Sequence, residues 1–504
     1  MKNDKINKVL LIVPPFTLPR GKFKVSVPPL GSAYIAAVLE KENYSVKILD
    51  APIEGFHQEV KIDARRVRYG LSYEQIKDVI KEFQPDVVGV ALHSVSQYDN
   101  SLNTCKAIRE VNKEIIIVLG GSGIYPEYLA RQILEKNKEA DFIIVGEAEY
   151  TFRDLLAVLN KPEPDFSSID GLAYRINNEI KINPKTRYIE NLDELPFPAR
   201  HLLPIEKYFK VNVNQNLSNY RRSLQLVASR GCPHRCTFCA TTIFWGNRYR
   251  RRSAENILSE IDYMVKKYKI KELQFTDDSL TADYDNAKRV FELLKERKYN
   301  LKWSTPNGVN VCTLDEKLLR LMKESGCYEI KLPIESGNQE ILNKVIKKPV
   351  NLEHVKKIVA IAKKLGIITN GFFAIGFPGE TLEDIKKTFR FVREIKIDSI
   401  TLSIFTPLPG TKLMEECREK GYLVKDFSFK EFEFTSANIE TEEFSQKDLE
   451  KIYIKETLLL NLNFVLRNPK IFLQRYGYFI IHHPDMVLSY MFNYLNRIIK
   501  KSKD

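Results

Sequence analysis

The sequence predicts an α/β protein: a doubly wound parallel sheet, then six further βα units in a partial barrel, then a mostly helical region. Three observations predict it. Short, wholly apolar runs alternate with helix-length segments through residues 1–160. The alternation resumes near residue 222 and runs to about 425. From 426 to 504 strand-like runs give way to stretches rich in Leu, Tyr and Phe.

In the first series, Val9–Val13 reads as a buried parallel strand that Pro14 and Pro15 end. A helix over 30–42 leads to a strand at 45–49, and a helix over 73–83 to the strand Val87–Ala91. Helices at 100–111 and 127–135 precede strands at 115–119 and 142–145. Such alternation implies a parallel sheet whose ligands sit at the strands' carboxyl ends. Gly120 and Gly121 fall at one such end, and Gly146-Glu147 at another. Residues 161–221 carry short β-prone pieces with Gly171, Pro184, Pro196 and Pro198, and read as an extension and linker.

The second series, residues 222–425, offers strands at 224–229, 272–277, 301–306, 329–334, 369–376 and 399–405. Helical periods fill 254–267, 284–297 and 352–365 between them. Six units suit an open barrel with its chemistry at the strand C-terminal ends. In the last region, 446–466 and 485–499 read as helices broken by Pro469 and Pro484, with Leu458, Leu462, Val465 and Leu466 on one face. This suits a cap over a site, or a helix lying on a membrane surface.

The net charge of +13 favours an anionic partner in principle. Lys and Glu are mixed along most of the chain, so the charge reads as a solvated surface and a nucleic-acid partner is not expected. The run Arg248, Arg250, Arg251 and Arg252 is read the same way. The seven cysteines are odd in number, with one tight cluster, which argues against a disulfide framework and for a reducing, cytoplasmic setting. The apolar run at the N-terminus is too short for a signal peptide, and no stretch of about 18 apolar residues suggests a spanning helix.

The strongest motif is Arg230-Gly231-Cys232-Pro233-His234-Arg235-Cys236-Thr237-Phe238-Cys239, directly after a strand. Thiolates are the soft ligands that iron–sulfur clusters take. Three of them on a four-iron cube leave one iron open to a small molecule. The alternative is a structural zinc site completed by His234 or a distant cysteine, although zinc sites usually show a second cysteine pair. Asp277 and Asp278 stand at the end of the next strand, where carboxylates suit an ammonium group or a helix N-cap. Glu335-Ser336-Gly337, Gly376-Phe377-Pro378-Gly379-Glu380 and Pro407-Leu408-Pro409-Gly410-Thr411 end later strands.

The spacing C-x3-C-x2-C with Phe238, followed by this βα series, resembles the radical S-adenosylmethionine (SAM) superfamily over about 224–415. The resemblance implies that Cys232, Cys236 and Cys239 hold a [4Fe–4S] cluster. SAM would chelate the open iron and be cleaved reductively to a 5′-deoxyadenosyl radical, with Phe238, Asp277, Asp278, Glu335 and Gly376 near the bound SAM. An electron donor such as flavodoxin or ferredoxin is implied as a partner. Val13-Pro14-Pro15, Pro28-Pro29-Leu30-Gly31, Gly120-Gly121-Ser122-Gly123 and Gly146-Glu147-Ala148-Glu149 resemble the flavodoxin-like cobalamin-binding domain that precedes some radical SAM barrels. That implies a cobalamin with Gly120 and Gly121 beside it, and His93 as a further neighbour. Asp50 to Gly55 has Pro52 where many such domains place a cobalt-ligating His. The implied activity is methylation of an unactivated carbon or phosphorus of a small-molecule or lipid substrate. Relatives with the same cofactors form or rearrange rings. An unrelated alternative is a non-catalytic iron–sulfur or zinc protein that binds nucleic acid.

Overall fold

The protein is described as a computed structural model over residues 5–20, 22–64, 66–212, 222–425, 427, 434–482 and 484. It divides into two units, Met1–Val211 with Ile243–Gly246, and Asn212–Thr242 with Asn247–Asp504.

The first unit is built on seven strands: β1 (Lys8–Val13), β2 (Ser45–Asp50), β3 (Val87–Ala91), β4 (Ile116–Gly120), β5 (Phe142–Ile144), β6 (Leu172–Ile176) and β7 (Glu179–Ile182). Their order is β7-β6-β5-β4-β3-β1-β2. The first five are parallel in the flavodoxin-like order 2-1-3-4-5. The apolar runs explain this, because a central parallel strand is covered on both faces; Val9, Leu10, Val87, Val88, Ile117 and Leu119 are fully buried. Strands β6 and β7 come from the extension and add to the sheet antiparallel. The strands Phe16–Pro19, Glu59–Lys61 and Arg66–Tyr69 form a small separate sheet.

The second unit contains six parallel strands in sequence order: β8 (Ser223–Leu226), β9 (Glu272–Phe275), β10 (Lys302–Thr305), β11 (Cys327–Glu335), β12 (Ile368–Ile375) and β13 (Ser399–Ile404). Strands β8 and β13 do not pair, so the barrel is open, as six units predict. Its outer layer is apolar: Trp303 stacks on Phe291 of the helix Tyr284–Arg297 at 4.9 Å and meets Phe275 edge-on at 5.4 Å. The helix Gln446–Arg467 follows, capped by Ser445, and packs on β13. Only Leu449 and Phe464 of it are buried, while Leu462 and Leu466 are 58% and 70% exposed. The predicted helix at 485–499 lies outside the described residues.

The arginine run is structural. Arg250–Arg251 forms a two-residue strand with Ser229–Arg230, Arg251 pairs with Asp283, and Arg252 pairs with the buried Glu260.

Candidate functional site

The cysteine loop leaves the barrel just after β8. The strand Ser229–Arg230 turns at Gly231, whose φ of +81° suits glycine, and the loop then presents three free, half-buried thiols. The loop is anchored along its length. At its start, Asp277 accepts hydrogen bonds from the Ala228 N–H (3.0 Å) and the Ser229 hydroxyl (2.6 Å). In its middle, the Thr237 N–H donates to the Ile346 carbonyl (3.0 Å) and its hydroxyl to the Val345 carbonyl (2.7 Å). Those carbonyls close a one-turn π-helix, Ile341–Ile346, a form that turns up at functional sites. Near its end, Phe238 packs edge-on against Phe377 at 5.7 Å, and Phe377 against Phe405 at 5.1 Å. His234 is engaged with Asn310 at 3.2 Å.

The electrostatics favour an electron-rich occupant. Burial pushes the Cys236 thiol up to about 12 and raises Cys232 as well, and Lys348 opposes both shifts. The Lys348 ammonium meets the Glu335 carboxylate at 2.8 Å, with both side chains about nine-tenths buried. Burial alone would lower Lys348, but Glu335 and Cys236 hold it above the ordinary lysine range. Glu335 sits in the left-handed region at φ +75°, which is rare and costly for a non-glycine residue. Buried thiols beside a fixed cation are the chemistry of a thiolate-ligated, negatively charged cluster. Among the described residues no three His, Cys, Asp or Glu side chains converge tightly enough to hold a single metal ion.

The other residues singled out in this unit divide by role. Asp277 is 1% exposed and turned toward the chain leading into the loop; burial raises its carboxyl to about 7, and Oδ2 has no partner. Asp278 beside it is exposed, and Ser279 bonds Cys232. Gly376 (φ +82°) donates its N–H to Glu380 at 2.7 Å, and a Cβ there would lie 2.6 Å from Leu449. Leu449, rather than open space, thus occupies the room a side chain would take. Glu380 is fully buried and raised by that burial to about 8. Sequence reasoning missed the Lys348–Glu335 pair, since Lys348 lies in an ordinary-looking Lys-Lys-Pro.

In the first unit, Gly121 (φ +127°) and Gly123 press on the loop after β3; a Cβ on either would approach the Leu92 carbonyl oxygen to 2.7–2.8 Å. Gly120 closes β4 and accepts from the Leu92 N–H at 2.7 Å. His93 stacks on Phe16 at 6.0 Å, and burial lowers its pKa. Beside Gly146, at the carboxyl end of β5, opens a cleft of about 340 Å³ lined by Tyr125, Glu127, Lys185, Tyr188, Ile243 and Phe244. Lys185 reaches it from the extension after β7, held by Asp170 (3.2 Å) and Thr151 (3.1 Å). A corrinoid is larger than this cleft, which fits only part of one. A larger hollow of about 600 Å³ lies by Lys8 and Ile115, at the amino ends of the strands, where doubly wound sheets do not bind ligands.

Two family models match the chain, one in each unit. Residues 17–156 match the model of the B12 binding domain and residues 226–392 that of the radical SAM superfamily. The chain is 36% identical to cytidylyl-2-hydroxyethylphosphonate methyltransferase of Streptomyces wedmorensis, over 83% of either chain. It is 27% identical to the anaerobic magnesium-protoporphyrin IX monomethyl ester cyclase of Rubrivivax gelatinosus, over 85% of this chain and 73% of the other. Among solved structures, the cobalamin-dependent SAM radical enzyme OxsB superposes with a TM-score of 0.69 at 18% identity, covering 91% of this chain and 67% of OxsB. TsrM of Kitasatospora setae, a radical SAM methyltransferase, gives 0.64 at 17% identity, covering 82% and 76%. With the cysteine loop at the mouth of an open barrel and a flavodoxin-like sheet before it, the chain belongs to the radical SAM enzymes that carry an N-terminal B12-binding domain.

Proposed function

We propose that the protein is a cobalamin-dependent radical SAM methyltransferase that acts on a small molecule, with Cys232, Cys236 and Cys239 as the ligands of a [4Fe–4S] cluster. One observation carries this reading: three free thiols in an anchored loop at the carboxyl end of β8, in a chain that matches a methyltransferase along 83% of its length. Bound there, the cluster and SAM would supply a reductively generated carbon radical, and cobalamin in the first unit would supply the methyl group. The chain's own contribution is placement and exclusion of water. Asp277, Thr237 and Phe238 fix the loop. The exposed Asp278 carboxylate would meet an ammonium group, and Lys348 would balance negative charge beside the thiols. The cleft by Lys185 and Tyr188 would take part of the cobalamin, with Gly120 and Gly121 shaping the strand ends next to it. The electron would come from a carrier such as flavodoxin or ferredoxin. A nucleotide-tagged substrate is the leading class, by likeness to the Streptomyces enzyme.

Reconstituted protein should hold four irons and one cobalamin per chain and form 5′-deoxyadenosine from SAM under reduction. Cys236→Ala should abolish the irons and the cleavage; cleavage that survives in this variant would refute the cluster assignment. The likeness to the cyclase supports a second reading, radical ring formation. Product mass separates them, since methylation adds CH2 and cyclisation removes hydrogen. Among the described residues no helix is long and apolar enough to cross a membrane. Vesicle co-sedimentation tests contact of the exposed leucines of Gln446–Arg467 with a membrane surface.

A further inference from the structure

The cysteine loop and the segments that hold it carry charge of one sign. Residues 230–254 contain no Asp or Glu, and neither do 341–352 or 399–414. The fold joins these three segments at one residue. The buried Thr237 donates its N–H to the Ile346 carbonyl (3.0 Å) and its hydroxyl to the Val345 carbonyl (2.7 Å), and its own carbonyl accepts from the Leu413 N–H (3.2 Å).

Each segment brings a cation to this junction. Arg235 precedes Thr237 by two residues, Lys347 follows Ile346, and Lys412 precedes Leu413. All three are exposed. Lys412 also opens the helix Lys412–Glu419, whose positive end adds to the field. The nearest acids on these elements are taken by other cations, in the pairs Lys344–Glu340, Arg418–Glu415 and Lys420–Glu416. Among the described residues Arg235, Lys347 and Lys412 are in no ion pair.

Elsewhere the surface mixes Lys with Glu, so an unopposed group of three stands apart. Gathered like charges repel one another and add nothing to folding. What they add is a field that draws in an anionic partner and orients it. Arg235 is the residue before Cys236, so a partner seated on it stands one residue from a thiol of the loop.

We propose that Arg235, Lys347 and Lys412 form the docking surface for an acidic one-electron carrier protein of the flavodoxin class. This rests on the cluster reading above and gives the reductant its landing place. One electron leaves the carrier, which is oxidised, and enters the cluster, which is reduced by one; no bond forms or breaks.

The test is stopped-flow reduction of the cluster-loaded protein, followed by absorbance, with photoreduced flavodoxin and with reduced methyl viologen, a small cation. Arg235→Gln, Lys347→Gln and Lys412→Gln are combined. At about 10 mM ionic strength, where charges act over about 30 Å, the triple variant should react with flavodoxin about tenfold or more slowly than wild type. At about 1 M the gap should close. The viologen, which the patch repels, should reduce the variant at least as fast as wild type, and this separates lost docking from a damaged cluster. A control combines Lys266→Gln, Lys298→Gln and Lys364→Gln, which remove the same charge at the far ends of three helices, beside the strands' amino ends. It should keep the wild-type flavodoxin rate. If the triple variant takes up less iron, Lys347→Gln with Lys412→Gln, both outside the cysteine loop, is read the same way. The proposal is overturned by equal flavodoxin rates in wild type and triple variant, whatever other anion the patch then binds. An equal loss in the control, a viologen rate that falls as the flavodoxin rate does, or a wild-type cluster that flavodoxin does not reduce overturns it too. The cluster reading fails separately, through wild-type protein that holds no iron or that forms no 5′-deoxyadenosine from SAM with the viologen.

Discussion

Replacing Asp277 by Ala tests whether the paired aspartates serve the loop or the ligand. The substitution removes the acceptor for the Ala228 N–H and the Ser229 hydroxyl, both buried where the chain enters the cysteine loop. Two donors left unsatisfied at about 1–2 kcal/mol each give a loss of about 3 kcal/mol. At roughly 2 °C per kcal/mol for a domain of this size, the radical unit should melt about 6 °C lower. Asn at this position keeps the acceptor and should melt near wild type at pH 5. The two should then diverge with pH, and the sign follows from linkage. Burial raises the folded carboxyl from 3.8 to about 7. The folded state therefore binds more protons than the unfolded one between those values, and wild type loses stability as pH rises through that window. The Asn variant lacks this loss, so its advantage should grow from pH 5 to pH 8. Differential scanning fluorimetry across pH, with iron content measured on the same samples, reads both effects. An Ala variant with wild-type melting and full iron, or an Asn variant whose offset from wild type does not change with pH, would show that Asp277 does not hold the loop.

Two other positions give independent outcomes. Lys348→Met leaves the Glu335 carboxylate nine-tenths buried without its ammonium and should cost about 3 kcal/mol. Adding Glu335→Gln should recover most of it, and a double-mutant cycle on melting temperatures that shows simple additivity would contradict the pairing. Gly246→Ala places a Cβ 2.3 Å from the Tyr188 ring at a backbone φ of +71°. It should destabilise the first unit by about 2 kcal/mol, with Tyr188→Ala restoring part of the loss; limited proteolysis of the first unit that proceeds at the wild-type rate would count against it.

Much of the fold was legible because burial writes itself into strand composition. Val9–Val13 and Val87–Ala91 are apolar on both faces, and the structure pairs them directly, as a doubly wound sheet requires. The cysteine loop stood out because the spacing of its three cysteines is local. Contacts between distant segments were not. Nothing near Lys348 signals that it reaches Glu335, because that contact depends on the π-helix Ile341–Ile346 redirecting the chain. Ile243–Gly246 lies seven residues or fewer past Cys239 yet folds with the first unit; Gly246, kept small beneath Tyr188, is its only sequence trace. The Arg248–Arg252 run reads as a surface patch by charge alone, whereas Arg252 is spent on Glu260 inside the unit.

Stability alone does not account for the buried ionisable groups around the cysteine loop. Asp277 and Glu380 are carboxyls that burial pushes to about 7 and about 8, and each keeps one oxygen without a partner. What the carboxyls do is accept backbone N–H groups at bends where no strand or helix can: Ala228 at the start of the loop, and Gly376 and Phe377 at the turn against which Phe238 packs. Thr237 serves the middle of the loop in the same way through the π-helix carbonyls. Three anchors drawn from three different strand ends fix the loop before anything binds it. The ordering entropy of the three thiols is thus met by the fold itself rather than by the ligand, which is the arrangement a site needs when its occupant must be held in one orientation through repeated electron transfer.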